Sequence, residues 1–192
     1  MPLKLIIGPM FAGKTTALFV EVEKSMAALK SVVVVKHSSD KRYDHMFDDG
    51  ATALITRGGN KLSSGGCCKV VLAASLRDVF DDLLRADMIA ISEVQFYPDA
   101  VEVIKELVIV HEKRVVCEGL SGDYMQKPFE QVSCLVSLAN RVKTLRAVCM
   151  ICRVNEAPYT ARRDGIDGER VVVGSDDIYL SVCEHCLGQR VK

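Results

Sequence analysis

Apolar residues in the first two thirds of this chain fall into short runs that alternate with longer segments of helical spacing. The short runs are typical of strands buried on both faces of a sheet, and they cover 3–7, 31–36, 69–72, 87–91 and 114–117. Apolar positions three and four residues apart predict helices over 15–29, 76–85 and about 98–112. Strands that alternate with helices predict an α/β fold, with a parallel central sheet covered by helices on both faces.

The segment that joins the first strand to the first helix has the spacing of a phosphate-binding loop. It matches the pattern G-x-x-x-x-G-K-[ST] from Gly8 to Thr15. Because the loop opens a helix, its backbone N–H groups can surround phosphates at the positive end of the helix dipole. Lys14 can reach the β- and γ-phosphates, and the Thr15 hydroxyl can ligate Mg²⁺. A glycine turn with an accidental lysine would not require a strand before it and a helix after it, so we predict that the chain binds a nucleoside triphosphate. The predicted phosphate-binding residues are Gly8, Pro9, Met10, Phe11, Ala12, Gly13, Lys14, Thr15 and Thr16.

Four of the eight cysteines form two closely spaced pairs, Cys149-x-x-Cys152 and Cys183-x-x-Cys186. Two C-x-x-C pairs on one chain are the ligand arrangement of a tetrahedral structural zinc site. A redox-active pair is the alternative, but a thioredoxin-type pair precedes a helix in a βαβ unit and neither pair does so convincingly. We therefore predict one structural zinc ion bound by these four thiolates.

Composition narrows the class of partner. Lys and Arg together number 25, as do Asp and Glu, so no excess of positive charge favours nucleic acid or a membrane surface. We expect a small-molecule ligand instead. The chain has no run of about 20 apolar residues and no secretory signal pattern at its start, so we expect a cytoplasmic protein.

Ligands of parallel sheets bind at the carboxyl ends of the strands, so the residues that follow each strand are candidates. Glu93 follows the strand that ends at Ile91, where it could accept a proton from an attacking hydroxyl or cap the helix that begins near Pro98. Asp40 and Arg42 follow another strand, and Arg42 could contact a phosphate or belong to a solvated loop. Leu120, Tyr124 and Phe129 follow the strand that begins at Arg114, and they could wall a flat ligand or pack in the core.

Four segments carry a resemblance to the type II thymidine kinase family, and they extend along nearly the whole chain. They are GPMFAGKTT at 8–16, SEVQFYPD at 92–99, KPF at 127–129 and AVCMIC at 147–152. The resemblance implies a RecA-like P-loop domain over 1–146 and a zinc-binding lasso over 147–192 that closes on the nucleoside. It also implies a homotetramer, feedback inhibition by thymidine triphosphate, and transfer of the γ-phosphoryl group of ATP to the 5′-hydroxyl of thymidine.

The same resemblance assigns roles to residues. Glu93 would orient and deprotonate the 5′-hydroxyl, while Lys14, Thr15 and Mg²⁺ would hold ATP. Three further residues would contact ATP or its phosphates: Asp40, Arg42 and Gln95. The nucleoside would be bound by Met10, Leu120, Tyr124 and Phe129, together with Thr160, Val172 and Tyr179 from the lasso.

The chain departs from the family pattern at two positions beside the candidate base. Ser92 stands where the family has an aspartate that organises Mg²⁺, and Val94 stands where it has a glycine. A neutral hydroxyl lacks the charge of a carboxylate, so Ser92 suggests a weakened Mg²⁺ site. The glycine-rich segment 57–66 also differs from the family's loop.

Three other functions remain open from the sequence. The chain could be a kinase for another nucleoside such as deoxyuridine or deoxycytidine, or a P-loop protein that binds nucleotide with weak or no kinase activity because of Ser92. A zinc-ribbon nucleic-acid module is the third and weakest alternative. It rests on the basic residues of the zinc segment, Arg146, Arg153, Arg162, Arg163 and Arg170.

Overall fold

The structure is a computed structural model that describes residues 2–40, 53–163, 165, 174 and 176–190. Twelve strands are assigned in these residues: Leu3–Gly8 (β1), Val32–His37 (β2), Ala53–Ile55 (β3), Lys61–Ser63 (β4), Cys68–Ala73 (β5), Met88–Ile91 (β6), Arg114–Leu120 (β7), Arg141–Thr144 (β8), Ala147–Val148 (β9), Glu156–Ala157 (β10), Tyr159–Arg162 (β11) and Tyr179–Val182 (β12). The α-helices are Lys14–Ala27 (α1), Phe80–Arg85 (α2), Ala100–Ile109 (α3), Glu130–Leu138 (α4) and Glu184–Arg190 (α5). Two short 3₁₀ helices cover Leu76–Val79 and Val94–Phe96.

Six strands form the central sheet in the order β5-β2-β6-β7-β1-β8, and every neighbouring pair is parallel. Residues of β6 alternate between the two faces, as strand geometry requires. Ile89 and Ile91 pack with apolar residues of α3 and α4, whereas Met88 and Ala90 pack with apolar residues of α1. The sheet is therefore buried on both sides, which confirms the predicted α/β P-loop class.

The loop between β1 and α1 is short and tightly held. Gly13 precedes the helix in the left-handed region at φ 75°, a conformation that glycine adopts without steric cost. A side chain at Gly8 would bring its Cβ within 2.6 Å of the Leu145 carbonyl oxygen, so this position also requires glycine. The loop backbone therefore passes directly beside the segment that follows β8.

Two predicted helices begin or continue differently in the structure, and one strand of the central sheet was not predicted. The helix expected over 76–85 is a 3₁₀ turn followed by α2, because Ser75 caps the turn at the Arg77 N–H. The helix expected from Pro98 begins at Ala100, since the Asp99 carboxylate accepts hydrogen bonds from Ser75 and from the backbone N–H groups of Leu76 and Arg77. The edge strand β8 escaped prediction because all four of its residues are exposed and none signals a buried face.

Outside the central sheet, the described strands form three antiparallel pairs. They are β3 with β4, β9 with β10, and β11 with β12. The last two pairs pack on the cysteine-containing segment at the C-terminal end of the chain. Among the described residues, no helix combines the length and apolar character needed to cross a membrane.

The core contribution of α3 can be tested with one substitution at two positions. Ile104 is fully buried and Ile109, on the same helix, is 60% exposed. We expect Ile104→Ala to lower the free energy of unfolding by about 2–5 kcal/mol, because it removes buried methyl groups and leaves a cavity. Ile109→Ala is the control, and chemical denaturation should show a change of about 1 kcal/mol or less. Equal losses in the two variants would contradict the assignment of the buried face.

Candidate functional site

The phosphate-binding loop is preformed around its lysine. Lys14 is buried, and its Nζ donates a hydrogen bond to the Pro9 carbonyl oxygen at 2.9 Å. Phe11 and Gly13 both have positive φ, of 65° and 75°. Left-handed residues that alternate with right-handed ones turn their N–H groups toward one concave side, which is the arrangement that binds anions. The loop can therefore accept phosphate groups.

Glu93 lies at the wall of the same cavity as the loop. This cavity of about 140 Å³ is lined by Lys14, Thr15, Asp40, Ser92 and Glu93, among other residues. Glu93 has φ 52° and ψ 52°, a left-handed conformation that is strained for a residue with a side chain. It makes no side-chain cap for the following 3₁₀ helix, and α3 begins later at Ala100. Helix capping therefore does not account for this carboxylate.

Gln95 holds the Glu93 carboxylate in place. Its Nε2 donates to Glu93 Oε2 at 2.6 Å, and its Oε1 accepts from the Leu120 N–H at 3.2 Å. Both side chains are buried. The fit against β7 is close, since a Cβ at Gly119 would lie 2.7 Å from Gln95 Oε1. Gln95 was predicted to contact ATP, and in the structure its hydrogen bonds position Glu93.

A second carboxylate, Glu118 on β7, was missed by sequence reasoning. Its Oε1 accepts hydrogen bonds from Ser92 Oγ at 2.8 Å, from the Glu93 N–H at 3.2 Å and from Thr15 Oγ1 at 3.4 Å. Burial raises the pKa of Glu118 to about 7, and the neighbouring Glu93 adds to the rise, while Lys14 opposes it. The signal in the sequence was a carboxylate at the end of an otherwise apolar run, beyond the point where the strand was expected to stop.

The glycine-rich segment also reaches this cavity. The β3–β4 hairpin brings Thr56, Arg57 and Gly58 to its wall. The Arg57 guanidinium lies 4.7 Å from the centroid of the Phe11 ring and forms an ion pair with Asp176 at 2.6 Å. A cation beside the phosphate-binding loop suits an anionic ligand. Arg57 is therefore a second candidate that the pattern did not reveal.

The residues predicted to bind a nucleoside lie in two places. Thr160 on β11 accepts a hydrogen bond from the Met10 N–H at 3.0 Å, which joins the cysteine segment to the phosphate-binding loop. Tyr124 and Tyr179 flank the buried Arg162, whose guanidinium carbon lies 3.9 Å and 5.8 Å from their ring centroids. By contrast, Phe129 packs in the core beneath the sheet. Leu120 lies partly against that same core.

Arg42 and Val172 fall outside the described residues, and so does Arg170. Three other basic residues of the zinc segment make local contacts. Arg162 is buried between tyrosines, Arg163 donates to the Asp176 carbonyl oxygen, and Arg146 lies 3.6 Å from Glu156. Arg153 is exposed, so the zinc segment keeps some basic surface, but the chain as a whole has equal numbers of basic and acidic residues, which does not favour a nucleic-acid module.

The four paired cysteines come together as the sequence predicted. Their sulfur atoms all lie within 4.8 Å of one another, and Cys152 Sγ is 3.9 Å from Cys183 Sγ. A tetrahedron of sulfurs around zinc, with bonds of about 2.3 Å, has edges of roughly 3.8 Å. The β9–β10 hairpin presents Cys149 and Cys152, while β12 and the start of α5 present Cys183 and Cys186. The spacing fits a tetrahedral metal site.

Local electrostatics act in opposite directions on two of the four thiols. Burial raises the pKa of the Cys149 thiol, but the backbone N–H groups of Cys152, Cys183 and Ile151 outweigh that effect and lower it to about 6. Burial and the adjacent sulfurs raise the pKa of Cys186 to about 12. Sulfurs this close ionise together only around a cation, so the set suits a metal ion.

Comparison with known proteins points to one family. The family model described as thymidine kinase matches residues 1–187 of the chain. Thymidine kinase 1 of Dictyostelium discoideum is 35% identical over 187 residues, which cover 96% of this chain and 76% of that protein. The cytosolic thymidine kinase of Bos taurus is 36% identical over 184 residues, which cover 96% of this chain and 71% of the bovine protein. The thymidine kinase of Vaccinia virus (strain Western Reserve) is 35% identical over 184 residues, covering 96% and 95% of the two chains.

The metal site predicts one tightly bound zinc ion per chain. We expect Cys152→Ser to reduce zinc content well below one equivalent, because a hydroxyl is a poor replacement for a thiolate ligand. Cys134→Ser, at an exposed cysteine on α4, is the matched control and should retain full zinc. Elemental analysis of the purified proteins measures the content. Active parent protein without stoichiometric zinc would mean that the four cysteines serve another purpose.

Proposed function

This chain belongs to the thymidine kinase family, and we propose that it transfers the γ-phosphoryl group of ATP to the 5′-hydroxyl of thymidine, giving thymidine monophosphate and ADP. The observation that carries the proposal is the meeting of Lys14 and Glu93 at one cavity. Lys14 belongs to the loop that can hold a triphosphate. Glu93 is a buried carboxylate whose direction is fixed by Gln95. A phosphoryl acceptor between them would have a base on one side and the γ-phosphate on the other.

Phosphoryl transfer depends mostly on positioning and on charge stabilisation. In this chain Lys14 and the N–H groups of the loop would hold the β- and γ-phosphates. Arg57 is close enough to the loop to neutralise phosphate charge, and Arg42 and Asp40 are further candidates near ATP. Glu93 would accept the proton of the 5′-hydroxyl as the oxygen attacks phosphorus.

Mg²⁺ is the ion that kinases use to neutralise the transferred phosphate. The oxygen atoms beside the loop fit this ion, because Thr15 Oγ1 lies 3.4 Å from a carboxylate oxygen of Glu118 and hard oxygen donors are the ligands that Mg²⁺ prefers. The Thr15 hydroxyl would ligate it. When bound there, it would supply positive charge that offsets the negative charge of the transferred phosphate.

The nucleoside would lie between the P-loop domain, 1–146, and the zinc-binding lasso, 147–192. The hydrogen bond from the Met10 N–H to Thr160 supports this arrangement, since it ties the lasso to the loop. Met10, Leu120 and Tyr124 would contact base and sugar from the P-loop side, and Thr160, Val172 and Tyr179 from the lasso side, while Phe129 would support that wall from the core in which it packs. Backbone groups of the lasso would read the edge of thymine, because an unpaired polar edge costs roughly 1–3 kcal/mol when it is buried.

Other parts of the proposal extend from the family. We expect a structural zinc ion at the four cysteines, a homotetramer and feedback inhibition by thymidine triphosphate. A cytoplasmic location is supported by relatives described as cytosolic thymidine kinases. A nucleotide-binding protein without kinase activity, suggested by Ser92, is not favoured, because the carboxylate Glu93 and its supporting Gln95 are both present.

The function is tested by thymidine-dependent formation of ADP from MgATP. We expect activity with thymidine, and a lower kcat/KM with deoxycytidine because its base edge presents an amino donor where thymine presents a carbonyl acceptor. Deoxyuridine differs from thymidine by one methyl group and should be discriminated by roughly 10- to 200-fold at most. Absence of ADP formation with all three nucleosides would exclude a kinase of this class.

Substitution of the proposed base separates chemistry from binding. We expect Glu93→Gln to lower kcat by roughly 10²–10⁴ while the affinity for thymidine changes little, because the amide keeps the size but cannot accept the proton. Glu102→Gln, on the exposed face of α3, is the control and should keep parental kcat. Steady-state kinetics with thymidine as the varied substrate measure kcat, and a direct binding titration with thymidine measures the affinity. A parental kcat in Glu93→Gln would remove this residue from the catalytic role.

A further inference from the structure

The environment of Glu118 is asymmetric in a way that its folding role does not explain. Glu118 is fully buried, and one of its oxygens, Oε1, accepts all three hydrogen bonds, from Ser92, Thr15 and the Glu93 N–H. The other oxygen, Oε2, is also buried and has no hydrogen-bond partner among the described residues. Buried polar atoms in folded proteins almost always have a partner, so a carboxylate oxygen without one calls for an explanation.

Sheet register places this carboxylate between the phosphate-binding loop and Glu93. Ile91 on β6 lies beside Cys117 on β7, and the next residue of each segment is Ser92 and Glu118. On the other side of β7, Glu118 lies beside Ile6 of β1, two residues before the loop begins. The carboxyl ends of these three parallel strands meet at one edge. Glu118 is therefore a neighbour of both Ser92 and Thr15 by topology as well as by contact.

The charge balance at this edge is also uneven. Among the described residues at this edge of the sheet, Lys14 is a buried cation, and Glu93 and Glu118 are two buried carboxylates. Two neighbouring carboxylates destabilise each other unless a cation lies between or beside them. A divalent cation next to Thr15 would relieve this repulsion and give the unpartnered oxygen a positive neighbour.

We propose that Glu118 supplies the carboxylate of the Mg²⁺ site in this kinase, holding the ion or one of its water ligands together with the Thr15 hydroxyl. This inference rests on the proposed function in taking a Mg²⁺-nucleotide as the ligand of the loop. The carboxylate that the family resemblance led us to expect at position 92 would then lie on the adjacent strand, at Glu118. Ser92 then supports the metal site, because its hydroxyl donates a hydrogen bond to Glu118 Oε1 and leaves Oε2 for the ion.

Ser92 by itself suggested a weakened Mg²⁺ site. With Glu118 as the metal-binding carboxylate, we expect instead a site whose carboxylate lies on β7. A carboxylate at position 92 in the presence of Glu118 would place two like charges at hydrogen-bond distance. We therefore expect Ser92 and Glu118 to function as a pair, so that the effect of a substitution at one position on Mg²⁺ affinity depends on the residue at the other.

The test measures metal affinity without turnover. Mn²⁺ is titrated into the complex of the protein with a non-hydrolysable ATP analogue, and free Mn²⁺ is followed by electron paramagnetic resonance. We expect Glu118→Gln and Glu118→Ala to weaken Mn²⁺ binding by roughly tenfold to a hundredfold relative to the parent, since each removes one ligand charge. Glu102→Gln is the control for a distant carboxylate and should bind Mn²⁺ as the parent does. Unchanged Mn²⁺ affinity in both Glu118 variants overturns the proposal.

Two further measurements distinguish a metal ligand from a structural residue. In EDTA, we expect Glu118→Gln to melt at the parental temperature or higher and to bind a fluorescent ATP analogue at least as tightly, because a buried charge near the phosphates has been removed. A lower melting temperature in EDTA together with parental Mn²⁺ affinity would assign Glu118 a structural role and overturn the proposal.

A double variant, Ser92→Asp with Glu118→Ala, tests whether a carboxylate at position 92 can take over the role of the one at position 118. We expect it to recover most of the Mn²⁺ affinity that Glu118→Ala loses, since the carboxylate returns to the neighbouring strand end. A double variant as weak as Glu118→Ala overturns the exchange. None of these titrations uses thymidine, so they give a result even if the parent fails to phosphorylate it, and thymidine phosphorylation by the parent is tested separately.

Discussion

One oxygen atom of Glu118 determines how the site is assembled. It accepts hydrogen bonds from Thr15, from Ser92 and from the Glu93 N–H, and these donors belong to the start of α1 and to the segment that follows β6. The acceptor itself is on β7, between β1 and β6 in the sheet. Three parts of the chain that are distant in sequence are therefore fixed to one buried carboxylate. The strained backbone of Glu93 persists because its N–H is held there and its carboxylate is held by Gln95.

The cysteine segment is joined to this centre by a second polar contact. The Met10 N–H donates to Thr160, which lies on the β11–β12 hairpin that also leads into Cys183. A metal ion at the four cysteines would therefore order the hairpin, and the hairpin would order one side of the phosphate-binding loop. Arg162 strengthens the same junction by stacking between Tyr124 of the P-loop side and Tyr179 of β12. The cysteine cluster and the phosphate-binding loop are thus physically linked in this chain.

Sequence patterns recovered most of the sheet and much of the site. The strands β1, β2, β5, β6 and β7 were expected because each contains a short apolar run. The edge strand β8 and the short hairpins carry no such run. In the site, the phosphate-binding loop and the four cysteines follow spacing rules that reflect local geometry, whereas Glu93 was predicted from its position after a strand. Arg57 and Glu118 follow no such rule, because their relevance depends on which strands are neighbours.

The sequence by itself determined the chemistry available to this protein: a loop for phosphates, a carboxylate after a strand and a set of thiolates for a metal. Periodicity and motif spacing act over a few residues, and these features are built within a few residues. Only the tertiary structure decided that β7 lies between β1 and β6, and hence that Glu118 stands beside Ser92 and Thr15. Strand order is set by packing of whole helices on both faces of the sheet, and no local pattern encodes it. Ser92 therefore looked like a lost carboxylate in the sequence, whereas in the fold it is the hydrogen-bond donor to another one.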